Sequence, residues 1–89
     1  MPVIVIEPHV EPRRFKTLGH AKAYMKKKAQ AQMEFCRKYA NDSIGNVADL
    51  LSSIESLDGR SFEDGPVRMQ SCVDSYTGSW MRFQIEETE

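Results

Sequence analysis

Residues 17–40 carry the feature that most restricts this chain, a helical apolar period sustained over "TLGHAKAYMKKKAQAQMEFCRKYA". At about 100° per residue, Leu18, Ala21, Met25, Ala29, Gln32, Cys36 and Tyr39 fall on one stripe. Tyr24 and Phe35 flank it on one side, Met33 and Ala40 on the other. A helix with an apolar face that broad has to be laid on a sheet or a second helix. Thr17 is a good N-cap for it. Lys28 falls inside the apolar side and is expected to snorkel outward. The opposite face collects Lys16, His20, Lys26, Lys27, Arg37 and Lys38, with Lys22 at its border and Glu34 as its lone acid.

What the helix packs on must come from the rest of an 89-residue chain, which has room for a single domain. The β-branched run "VIVI" predicts a short strand over residues 3–6. "PHVEPRRF" holds Pro8 and Pro12 and is expected to be an extended connector. After the break at "ANDSIGN", a second helix is predicted over residues 47–57, with Asn46 as N-cap and Val47, Leu50, Leu51, Ile54 and Leu57 as its stripe.

Residues 67–86 read as a β-hairpin. A three-residue loop, Tyr76-Thr77-Gly78, pairs Val73 with Met81, Ser71 with Phe83 and Met69 with Ile85 on an apolar face. The other face then pairs Arg68 with Glu86, Gln70 with Gln84, Cys72 with Arg82 and Asp74 with Trp80. The expected fold is α+β, one domain over residues 1–89 in the order β-α-α-β-β, with both helices on one face of a three-stranded sheet. The pattern leaves open whether the first strand borders the hairpin or crosses a dimer.

Net charge is −1, but residues 1–41 hold nine Lys/Arg against three acids, and residues 42–89 three against ten. Such a split bears on partners rather than on fold. Two cysteines are too few for a disulfide framework, no apolar run reaches membrane length, and the short apolar run near Met1 without a basic flank leads to the expectation of no signal peptide. A cytoplasmic, reduced protein with no membrane association is expected.

No set of residues gathers for catalysis, so a non-enzymatic protein with no cofactor and no metal is expected. His9 and His20 lie eleven residues apart without ligand spacing. Cys36 belongs to the apolar face, whereas Cys72 opposite Arg82 is a candidate reactive thiol. The loop bearing Asp58, Glu63 and Asp64 has Arg60 and Phe62 where a calcium loop needs oxygen ligands.

The contact surfaces expected are the basic helix face with its preceding arginines (Arg13, Arg14, Lys16, Lys22, Lys26, Lys27, Arg37 and Lys38) and an aromatic hairpin tip, Tyr76 and Trp80. Together they fit a small protein-binding module meeting an acidic partner surface. Length and split charge would suit an accessory or inhibitor protein, of the phage or plasmid type, docking on a larger assembly. Self-association as a homodimer is a variant of the same idea. The alternative is sequence-independent nucleic-acid binding by the basic helix. Against it stand the slightly negative total charge and the lack of aromatics interleaved with the cations.

Overall fold

The computed structural model describes residues 1–74 and 79–88, with side chains for 1–71 and 81–88. The chain forms β1 (Val3–Glu7), β2 (Val10–Phe15), α1 (Leu18–Tyr39), α2 (Ile44–Glu55), β3 (Val67–Asp74) and β4 (Ser79–Glu87). All strand pairs are antiparallel, in the order β2-β1-β4-β3. Both helices cover one face of this sheet. The inward residues Val3, Val5, Met69, Phe83 and Ile85 pack with Ala21, Met25 and Ala29 of α1 and with Leu50 and Ile54 of α2.

The sheet therefore has four strands rather than three, and the residues expected to be a connector supply the fourth. Both prolines are compatible with a strand in this place. Pro8 opens the turn between β1 and β2, and His9 follows it at φ 63°, the proline-then-positive-φ pattern of a type II turn. Pro12 lies in the edge strand, where the register slips between Val5 and Glu7. An edge strand or a bulge is where a sheet tolerates a residue with no N–H to donate. β1 itself is central, bounded by β2 and β4, so its position needs no second copy.

The long helix has nearly the expected limits. Thr17 caps it, its Oγ1 accepting the His20 N–H at 3.1 Å. Its packed face is narrower than the stripe predicted: Ala21, Met25, Ala29, Met33 and Cys36 are buried, while Phe35 and Tyr39 are exposed. The second helix begins earlier than residue 47. A 3-10 turn at Asn41–Ser43 leads straight into α2, with Ser43 rather than Asn46 at the N-cap and no side-chain capping bond. The backbone already turns helically at Ser43, so the helix starts without one.

In the C-terminal hairpin the faces are as expected but the register differs by two residues. Val67 lies opposite Ile85, Met69 opposite Phe83 and Ser71 opposite Met81; on the other face Arg68 meets Gln84, Gln70 meets Arg82 and Cys72 meets Trp80. An irregularity between Cys72 and Asp74 brings Asp74 opposite Ser79. Apolar alternation fixes which residues face inward, and a slip of two preserves that. It cannot choose between two registers of equal parity. The Tyr76-Thr77-Gly78 loop lies outside the described residues.

The loop after α2 is shaped by capping. Asp58 Oδ1 accepts the N–H groups of Arg60 at 2.9 Å and Ser61 at 3.2 Å, and Ser61 Oγ accepts the Asp58 N–H at 3.0 Å. This reciprocal box starts the short turn Gly59–Phe62, which buries Phe62 in the core.

Two left-handed positions give opposite expectations. Replacing His9 (φ 63°) with Gly should stabilise the protein by up to about 1 kcal/mol by relieving a conformation unfavourable to L residues. Replacing Gly65 (φ 109°) with Ala should destabilise by about 1–2 kcal/mol. That cost would come from the backbone alone, since nothing lies within 4 Å of the added Cβ. Urea midpoints of the two variants decide it; shifts of the same sign would contradict the turn geometry.

Candidate docking surface

The cations of α1 do not form one free surface, because several fasten the helix to the rest of the molecule. Lys22 Nζ donates to the carbonyl oxygens of Glu55 and Leu57, each at 2.9 Å. It thereby satisfies acceptors at the end of α2, where a cation also suits the helix dipole. Lys26 pairs with the Glu55 carboxylate, whose pKa is held below its ordinary value chiefly by that hydrogen bond and then by the charge on Lys26. Lys22 and Lys26 thus join α1 to α2.

On the other flank of α1, Glu7 at the end of β1 is almost enclosed, its side chain 11% exposed. It accepts the Tyr24 hydroxyl at 2.5 Å and two contacts from Lys28 Nζ, at 3.0 and 3.1 Å. A carboxylate removed from water needs such donors. Lys28 does leave the apolar side, as expected, but it goes to this carboxylate. The Tyr24 hydroxyl first, and Glu7 with it, raises the Lys28 pKa against an opposing effect of burial. Its contribution to stability is therefore present at neutral pH and is lost only as pH rises past the ordinary value of 10.5. Arg13 stands 4.9 Å from the centroid of the Tyr24 ring, and Phe15 packs on the same ring with centroids 5.2 Å apart. Arg13 thus belongs to the clasp holding the β1–β2 hairpin to α1.

The remaining residues of the expected surface are dispersed. Arg37 pairs with Glu34 on its own helix at 2.6 Å. Lys16, Lys27 and Lys38 are exposed, and Arg14 sits opposite Ile4 on the sheet face away from the helices. Tyr76 lies outside the described residues, and of Trp80 only the backbone is described, paired with Cys72. The Cys36 thiol is buried, and burial pushes its pKa up. Among the described residues no three His, Cys, Asp or Glu side chains gather as for a metal. Among the described residues no helix is long and apolar enough to cross a membrane.

Two features were not anticipated. One is the exposed aromatic pair on α1: Phe35 (45% exposed) and Tyr39 (75% exposed), with ring centroids 5.2 Å apart. The other is a groove of about 410 Å³ between the end of β1 (Ile6, Glu7 and Pro8) and the hairpin, where Arg68 and Arg82 border it. A signal for the first was present in the chain. A helix of 22 residues spans about 33 Å, whereas a strand of 5 residues spans about 17 Å, so part of the helix had to outrun that strand. No family model, curated protein or solved structure matches the chain.

Exchange of single lysines separates fasteners from free charge. Lys28→Met should lower stability by about 1 kcal/mol, a figure moderated by a side chain already 37% exposed. Lys27→Met, at an exposed position, should change it by less than about 0.5 kcal/mol. Equal losses in a denaturant titration would contradict the assignment of Lys28 to the clasp.

Proposed function

We propose that this chain is a small non-catalytic protein-docking module, meeting an acidic partner surface through the C-terminal half of α1. The observation that carries the reading is the Phe35–Tyr39 pair. These two large rings are exposed and meet each other at a tilt of 47°, while Phe15 and Tyr24 pack against the core and Phe62 and Phe83 lie within it. Aromatic anchors of this kind supply most of the energy in protein contacts. Lys38 adjoins them in sequence and is exposed, and with Arg37 paired to Glu34 it leaves the patch net positive, which favours an acidic partner and steers its approach.

The same lysine contacts weigh against a phosphate-tracking face. With Lys22 and Lys26 turned to acceptors on the end of α2, the basic row is interrupted where nucleic-acid binding needs it continuous. An accessory or inhibitor role in a larger assembly remains the setting that length and charge suit best.

The test is affinity capture from a native lysate, with and without nuclease, comparing the wild-type chain with Phe35→Ser/Tyr39→Ser. A protein retained after nuclease and weakened roughly tenfold or more by the double change supports docking. Circular dichroism should show the fold intact, since an exposed pair on a helix contributes only about 0.5 kcal/mol. Recovery that disappears with nuclease, and falls steeply with salt, would replace docking by the nucleic-acid alternative.

A further inference from the structure

β1 is shorter than the strand beside it. It pairs with β4 only from Val3 opposite Glu87 to Ile6 opposite Gln84. The chain then turns away at Pro8 and His9 into β2. β4 continues to Ser79, with β3 along its other side. Over residues 79–83 the side of β4 that faced β1 therefore has no strand pairing among the described residues. That lane, unpaired among the described residues, is about 17 Å long, and alternate N–H and C=O groups of β4 point into it.

The lane has a roof. Lys28 is held at the end of β1 by Glu7. Phe35 and Tyr39 follow it by seven and eleven residues, close to whole numbers of helical turns, so they share its line on α1. They lie about 10 and 16 Å further along the helix, past the point where β1 stops. Met81 of β4 packs against the core cluster that Met33 and Cys36 of α1 form with Val47 of α2, which brings this half of α1 toward this part of β4. The exposed rings thus overhang the lane. The groove marks its mouth, bounded by Ile6, Glu7 and Pro8 on one side and by Arg82, Phe83 and Gln84 on the other.

We propose that an extended segment of the partner docks in this lane by adding a strand to β4 at residues 79–83. This rests on the docking reading and names the partner's chemistry: a segment alternating apolar and acidic residues. Side chains of an added strand alternate between faces. Those facing the helices meet Phe35 and Tyr39. Those on the open face meet Arg82, which lies opposite Gln70 and diagonal to Arg68. Arg68 Nε donates to Gln84 Oε1 at 3.1 Å, which keeps its guanidinium on that face. A second copy of the chain is a poor occupant, since β2 would bring Arg13, Arg14 and Pro12 and β3 would bring Arg68. Each sets like charge, or a residue without an N–H, against the lane.

The experiment uses the whole chain and a fluorescent, end-blocked peptide of three Val-Glu repeats. Companion peptides carry either N-methyl groups on alternate amides or Lys in place of Glu. Saturable binding is expected, with amide shifts concentrated at residues 79–83. Either companion peptide, or Arg82→Glu, should weaken it by about tenfold or more. Arg82 is exposed, so its exchange should leave the fold intact. Equal binding of the N-methylated peptide would overturn strand addition while leaving docking on α1 standing. Equal binding of the Lys peptide would overturn the acidic assignment. No saturable binding would overturn the proposal whole, and the capture experiment with Phe35→Ser/Tyr39→Ser would then decide separately whether docking stands. Peptide-independent dimerisation blocked by Arg82→Glu would assign the lane to a second copy instead.

Discussion

The seat of α1 on β1 sets the position of everything else. Small and flexible side chains of the helix, Ala21, Met25 and Ala29, meet Val3 and Val5 in the core, which lets the helix lie close to the strand. At the far end of β1 the Glu7 carboxylate is held by Tyr24 and Lys28. The packing gives the helix its direction, and the polar clasp fixes where along the strand it sits. Once both are fixed, the remaining length of α1 has to project beyond the strand. The exposed rings beyond the end of β1, and the stretch of β4 that β1 does not pair among the described residues, follow from that offset.

The charge split along the chain is partly resolved inside the molecule. Lys22 and Lys26, from the basic half, reach the end of α2 in the acidic half. Two helices that share a sheet are thus also tied to each other at their polar rims. A row of lysines that looks like a ligand surface in one dimension is, in three, divided between fasteners and solvent. The exposed cations that remain are spread over the molecule, among them Arg14, Lys16, Lys27, Lys38, and Arg68 and Arg82 on the open face of the hairpin.

Much of the architecture was legible because it depends on periodicity. The helical stripe, the inward parity of the hairpin and the burial of Cys36 all follow from which residues are apolar and how they are spaced. What was not legible depends on residues whose meaning is set by their neighbours. Pro12 signals a break in isolation, yet it is accommodated at the irregular edge of a sheet. The hairpin register escaped because two alignments of the same parity bury the same side chains. Phe35 and Tyr39 continue the apolar flank begun by Tyr24, and only the end of β1 leaves them uncovered. Lys28 was readable as a residue that must escape the core, but not as the partner of Glu7, which is 21 positions away.

The offset between α1 and β1 is tested most directly by amide hydrogen exchange along β4 in the unliganded protein. The β4 amides that bond to β1 within residues 84–87 should exchange slowly, while those directed into the lane within residues 79–83 should exchange fast, and those bonded to β3 should remain protected. Slow exchange of every β4 amide on both sides would mean that the lane is already filled, and would contradict the account.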